Sequence, residues 1–148
     1  MAYYEDFKVG QKVVSPGRTI TDGMATALIN IGGFVAPQFN DETVANKTPL
    51  GWRALPGRVV FALMGGLVEL MGVFGGPGPG MLVGADKLIW RVPLRVGDTV
   101  HVEWEVSEMR KTNNSRWGLV KNKETLKNQK DEMVCEVEIT HLLEYRPT

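Results

Sequence analysis

Residues 57–74 read GRVVFALMGGLVELMGVF, and the reading of the fold starts from them. Sixteen of these, Val59 to Phe74, form the longest apolar run in the chain, with Glu69 its single charge. Length and the Ala, Leu and Met content favour a helix over a strand. No polar face is left at helical spacing, so a helix buried on all sides is expected. The paired glycines Gly65 and Gly66 lower helix propensity but let another backbone approach closely. The run is shorter than the roughly 20 apolar residues of a bilayer span. It is therefore expected to be the core of a soluble protein, not a membrane anchor.

On the C-terminal side the sequence period changes to two. GGPGPG at 75–80 reads as a turn-rich connector. Met81–Arg91 reads as a long strand, and Pro93–Asp98 turns into the next. There Val100, Val102, Trp104 and Val106 alternate with His101, Glu103, Glu105 and Ser107. Ser115–Thr125 and Met133–Glu144 read as two further strands, with Lys121–Glu132 a charged hairpin tip. On the N-terminal side, Gln11–Ser15 reads as a short strand closed by Pro16-Gly17. Thr21 followed by Asp22 signals a helix start, and Gly32-Gly33 its stop. Phe34–Leu55 reads as a long structured loop with one helical turn around Glu42–Asn46. The fold class expected is α+β: one domain over 1–148, with an antiparallel sheet wrapped around the long apolar helix.

Bulk properties exclude several functions. Seventeen basic and seventeen acidic residues cancel over 148 positions, leaving no field to attract nucleic acid or an anionic membrane. The single Cys135 has no partner for an internal disulfide and reads as a buried thiol suited to a reducing cytoplasm. With only His101 and His141 available, both read as surface histidines, no metal site is expected. The N-terminus MAYYEDFKVG has neither the basic nor the apolar region of a secretory signal.

Four segments in order carry a family resemblance: YYEDFKVGQKV at the start, GRTIT at 17–21, TPLGWRALPG at 48–57 and RVPLRVGDTVHVEWEV at 91–106. Together they resemble the MaoC-like hotdog proteins, the family of (R)-specific enoyl-CoA hydratases and 3-hydroxyacyl dehydratases. TPLGWRALPG is similar to the family's TPFGxRIAHG, and 91–106 to its RFLxPVRPGDTLxVxxEV. From GRTIT to LPG the likeness runs without a gap, so the family's D-x-N-P-x-H motif falls on GFVAPQFND at 33–41. Pro37 matches the motif's proline, and Asp41 the acidic residue that often follows. The motif's Asp falls on Phe34, its Asn on Ala36 and its His on Phe39. The histidine preceding the helix glycine falls on Pro56, and Gly57 is retained.

The resemblance implies an acyl-thioester site. In the family the Asp and His share a water and deliver hydroxide and a proton across an enoyl thioester, paired general acid–base work. The backbone N–H of the helix-opening glycine meets the thioester oxygen, where enolate charge develops, aided by the helix dipole. Phenylalanine exchanges no proton, so hydration through positions 34 and 39 is not expected, whereas the backbone donor at Gly57 survives. Phe34 and Phe39 are read either as core packing or as the lining of an acyl-chain tunnel. Asp41 is read either as a substitute base or as the cap of the turn starting at Glu42. Trp52 and Pro56 are expected to shape the substrate-binding loop, and Arg53 to hold it through hydrogen bonds. Glu69 lies twelve residues beyond Gly57, roughly 18 Å along a helix, too far to act jointly with it. No cofactor is expected beyond the CoA or carrier-protein thioester itself. Partners implied are an acyl thioester and either a second copy or a dyad-bearing hotdog subunit. Three functions stay open: a divergent hydratase or dehydratase (a lyase), a non-catalytic acyl-chain-binding subunit, and a hotdog thioesterase.

Overall fold

A computed structural model describes residues 2–75 and 80–147. The connector expected at 75–80 therefore lies, at 76–79, outside the described residues. A helical turn at Tyr4–Asp6 leads to β1 (Lys12–Val14) and the two-residue β2 (Arg18–Thr19). Three helices follow, α1 (Asp22–Ile31), α2 (Pro37–Asn40) and α3 (Glu42–Ala45), then the apolar helix α4 (Gly57–Leu70). Four long strands complete the order: β3 (Gly80–Trp90), β4 (Thr99–Lys111), β5 (Trp117–Lys127) and β6 (Met133–Glu144). With β1 and β2 they form a six-stranded antiparallel sheet in the order β1-β4-β5-β6-β3, with β2 beside the start of β4.

The start of α1 follows its sequence signals: the Thr21 hydroxyl accepts from the Met24 N–H at 3.3 Å, and Asp22 sits in the first turn. Gly33, at φ 66°, ends it, because a left-handed residue there lets the Phe34 N–H reach back to the Ile29 carbonyl at 3.0 Å. The core lies between α4 and one face of the sheet. Val59, Val60, Met64, Leu67 and Val68 of α4 meet Val102, Trp104 and Val106 of β4 and Val137 and Ile139 of β6.

The structure corrects three expectations. First, α4 is not buried on all sides: Arg58, Ala62, Gly66, Glu69 and Leu70 are exposed. A helix laid on one sheet is covered along one side only, and composition does not say whether anything covers the other. Second, Lys121–Lys127 belongs to β5 and not to a hairpin tip. Its lysines alternate outward and pair across strands, Lys121 with Glu108, Lys123 with Glu136 and Lys127 with Glu103. Asn128 closes the actual turn, its side-chain oxygen accepting from the N–H groups of Lys130 and Glu132. Third, His141 is no surface histidine; it continues the inward register of β6. The two short elements β2 and α2 went unread, being too brief to show a period.

Candidate functional site

The segment before α4 is tied on both sides. The Leu55 N–H donates to the Leu94 carbonyl at 2.9 Å, and Ala54 bridges to Arg95. The Arg95 guanidinium lies over the Trp52 ring, 5.4 Å from its centroid. Arg53 is largely buried and pairs with Asp22 at the start of α1, and at 3.4 Å with Glu42 at the start of α3. It therefore fastens the loop to two helices. Trp52, expected to shape the substrate-binding loop, carries the Arg95 guanidinium on its ring.

The first turn of α4 is open. The buried Pro56 offers its carbonyl to the N–H groups of Val59 and Val60 and has no side chain able to cap. Among the described residues the N–H groups of Gly57 and Arg58 are the orphan donors a helix start leaves unpaired. The Gly57 carbonyl accepts from the Trp90 indole N–H at 2.9 Å, and that ring rests on the glycine. A Cβ at position 57 would come within 3.1 Å of the indole. Glycine leaves room for this close approach, and a side chain here would make the indole give way by a few tenths of an ångström. Beside it lies a cavity of about 320 Å³ lined by Leu55, Gly57, Val60, Trp90, Pro93 and Leu94 among others.

The two phenylalanines are placed differently. Phe34 packs against the core, its ring folded back over Gly32. It lines a separate cavity of about 270 Å³ with Ile29, Asn30, Gly33, Val35 and Asn40. Phe39 sits half-buried on α2 and is not among the lining residues of that cavity. The Asn40 amide clamps the loop, donating to the carbonyls of Phe34 at 2.8 Å and Ala36 at 3.3 Å.

Asp41 caps α3. One carboxylate oxygen accepts from the Thr43 N–H at 2.7 Å, the Thr43 hydroxyl at 2.6 Å and the Val44 N–H at 3.3 Å. These bonds, the Thr43 hydroxyl foremost, hold its pKa below the ordinary carboxylate range. Of its two readings the geometry is that of the cap. A carboxylate so stabilised in its charged form is a poor proton acceptor.

A further group lies under α4. Asn122 and Glu124 point inward from β5 and are fully or almost fully buried, and the Asn122 amide donates to Glu124 at 2.8 Å. Burial pushes the Glu124 pKa up to about 7 against that hydrogen bond, with Glu69 adding to the rise. His141 stacks on Phe74 with ring centroids 4.5 Å apart, and burial lowers its pKa to about 4. Among the described residues, the Asn122 Oδ1, the His141 Nδ1 and the Trp104 indole N–H are buried without a hydrogen-bond partner. A signal for this group did exist. Lys121, Lys123 and Lys127 on one face of β5 force Asn122 and Glu124 onto the other, and the Cys135, Val137, Ile139 register reaches His141.

Elsewhere, His101, Glu103 and Asp131 bring potential ligand atoms within 4.8 Å of one another. The Lys127 ammonium already sits 2.8 Å from Glu103 and 3.1 Å from Asp131, which makes the cluster an ion-pair network. The thiol of Cys135 is buried, and burial pushes its pKa up to about 11. Among the described residues no helix is long and apolar enough to cross a membrane.

An antiparallel sheet packed on one apolar helix defines a hotdog fold, and the comparisons agree. Residues 25–137 match the FAS1-like, dehydratase domain region, and the chain belongs to the MaoC-like hotdog family. A 3-hydroxybutyryl-CoA dehydratase from Methylorubrum extorquens is 31% identical over 107 residues, covering 72% of this chain but only 65% of that protein. Two solved structures share the fold. One is a monoamine oxidase regulatory protein from Archaeoglobus, with TM-score 0.91 and 23% identity over 99% of this chain and 96% of that one. The other is a MaoC-like dehydratase from Rhodospirillum rubrum, with TM-score 0.84 and 24% identity over the whole of both chains.

Proposed function

We propose that this chain binds an acyl thioester at the start of α4, the Gly57 N–H meeting the thioester oxygen, as a hydratase/dehydratase-type protein whose usual acid–base positions are inert. The observation that carries this reading is the uncapped first turn of α4 opening beside a cavity, with Trp90, which lines the same cavity, holding the Gly57 carbonyl. Phe34 is packed and Phe39 carries no proton, so hydration through them is slower by about 10²–10⁴ for either lost group. A non-catalytic role beside a dyad-bearing hotdog subunit is the second reading. It is favoured by β3, a long edge strand with Met81, Leu82 and Val83 exposed. The thioesterase reading is weakest, because Glu69 stands at the far end of α4 from Gly57.

Calorimetric titration with enoyl- and acyl-CoAs tests the binding, with carrier-protein thioesters in a separate arm. Saturable binding that weakens about tenfold in Gly57→Ala, where the new methyl meets the Trp90 ring, is expected. Enoyl-CoA hydration should be weak in the natural protein and gained in the double variant Phe34→Asp, Phe39→His. Absence of binding across both carriers would sink the proposal.

A further inference from the structure

Trp90 closes β3. Its backbone pairs with Cys135 of β6, and the following Arg91 N–H donates to the Val134 carbonyl at 3.0 Å. The root of the side chain is thus fixed in the sheet. The ring, however, is 44% exposed and stands outside the buried core. Core packing does not account for an indole at this position. Its single donor is spent on the Gly57 carbonyl at 2.9 Å, with the ring lying over the glycine.

That carbonyl and the Arg58 N–H belong to one peptide unit, which is planar. The carbonyl points into the helix and the N–H points back out of the first turn. Whatever fixes the one therefore fixes the direction of the other. A restraint is needed at this point. Glycine has the most freedom to rotate the unit, and Pro56 supplies no side-chain cap to steady the turn.

We propose that Trp90 is a positioning residue: through the Gly57 carbonyl it holds the Arg58 N–H beside the Gly57 N–H, so that both donate to one thioester oxygen. The inference rests on the acyl-thioester reading above, and adds to it a second donor and the side chain that orients it. A hydrogen bond accepted by the carbonyl also polarises the peptide, which strengthens its N–H as a donor. Two fixed donors on one oxygen gain strength as negative charge develops there. Because its own N–H is taken, Trp90 gives the ligand no hydrogen bond and acts through the peptide.

The test pairs an acyl-CoA thioester with the thioether of the same chain length, in which CH2 replaces the carbonyl and no oxygen meets the donors. Calorimetric titration of the natural protein should show the thioester bound about tenfold tighter than the thioether. Trp90→Phe keeps a ring over Gly57 and removes the N–H. It should weaken the thioester about fivefold and leave the thioether unchanged. A second variant places benzothienylalanine, an indole isostere whose sulfur carries no proton, at position 90 and should behave the same way. A merely structural role would weaken both ligands together, or would show a loss in Trp90→Phe that the isostere does not share. Either result, or a thioester preference undiminished in both variants, overturns the inference and leaves the thioester reading standing. A natural protein that binds neither ligand, or both equally, removes the thioester reading and this inference with it.

Discussion

Glu124 and His141 share one cavity, yet burial moves their proton equilibria in opposite directions. The Glu124 pKa is raised from 4.5 to about 7, so its contribution to stability is greatest below pH 4.5 and is lost as pH rises through 7. The His141 pKa is lowered from 6.5 to about 4, so its contribution is present above pH 6.5 and is lost as pH falls through 4. The Glu124 shift corresponds to an effect on the order of 3 kcal/mol, and that of the less fully buried His141 is somewhat smaller. Between about pH 4.5 and 6.5 the two oppose each other, and stability from this pair should be nearly flat. The groups facing them are Asn122 and Cys135 on the sheet and Arg58 and Glu69 on α4. Urea unfolding against pH checks the balance. Glu124→Gln should leave stability rising with pH over that window, and His141→Phe should leave it falling. An unchanged profile in both variants would contradict the buried assignment.

At the scale of elements, the loop from 34 to 56 is held by short-range caps and one buried arginine. Asp41 caps the start of α3, Asn40 ties the end of α2 back to the Phe34 and Ala36 carbonyls, and Arg53 ties the loop to α1 and α3. Asparagine caps helices as well as aspartate does, but it accepts no proton. Asp41→Asn should therefore preserve both stability and any turnover, whereas Asp41→Ala should lower the urea midpoint. Lost turnover with intact stability in Asp41→Asn would return Asp41 to the role of base. Removing Arg53 breaks pairs whose acidic partners are exposed, so Arg53→Ala should cost only about 1 kcal/mol of global stability. Hydrogen exchange should then quicken at residues 41–48 rather than throughout. The Thr21 and Asp41 caps were legible in sequence as local signals, and Arg53 was legible only through the family resemblance, its partner Asp22 being distant in sequence. The Arg95–Trp52 and Trp90–Gly57 contacts were not, because each joins positions some forty or thirty residues apart.

Across the whole molecule, the two ends of the sheet differ. The β1 edge is three residues long, whereas β3 runs for eleven with most of both faces exposed. A long apolar edge is prone to pair with another chain, and α4 also leaves Ala62, Gly66 and Leu70 uncovered. A dimer built across this edge is the expected assembly. Val83→Lys should shift it toward monomer in sedimentation experiments, with the monomer still folded; an unchanged distribution would place the interface elsewhere. The sequence by itself determined the order of the longer elements, the α+β class and the family, because periodicity, caps and motif spacing are properties of neighbouring residues. It also determined that positions 34 and 39 carry no proton. Only the tertiary structure decided which face of α4 is covered, that Trp90 rests on Gly57, and that Glu124 and His141 line one cavity. Those facts depend on strand register and on packing between distant segments, where a polar residue's burial is set by what the fold brings opposite it.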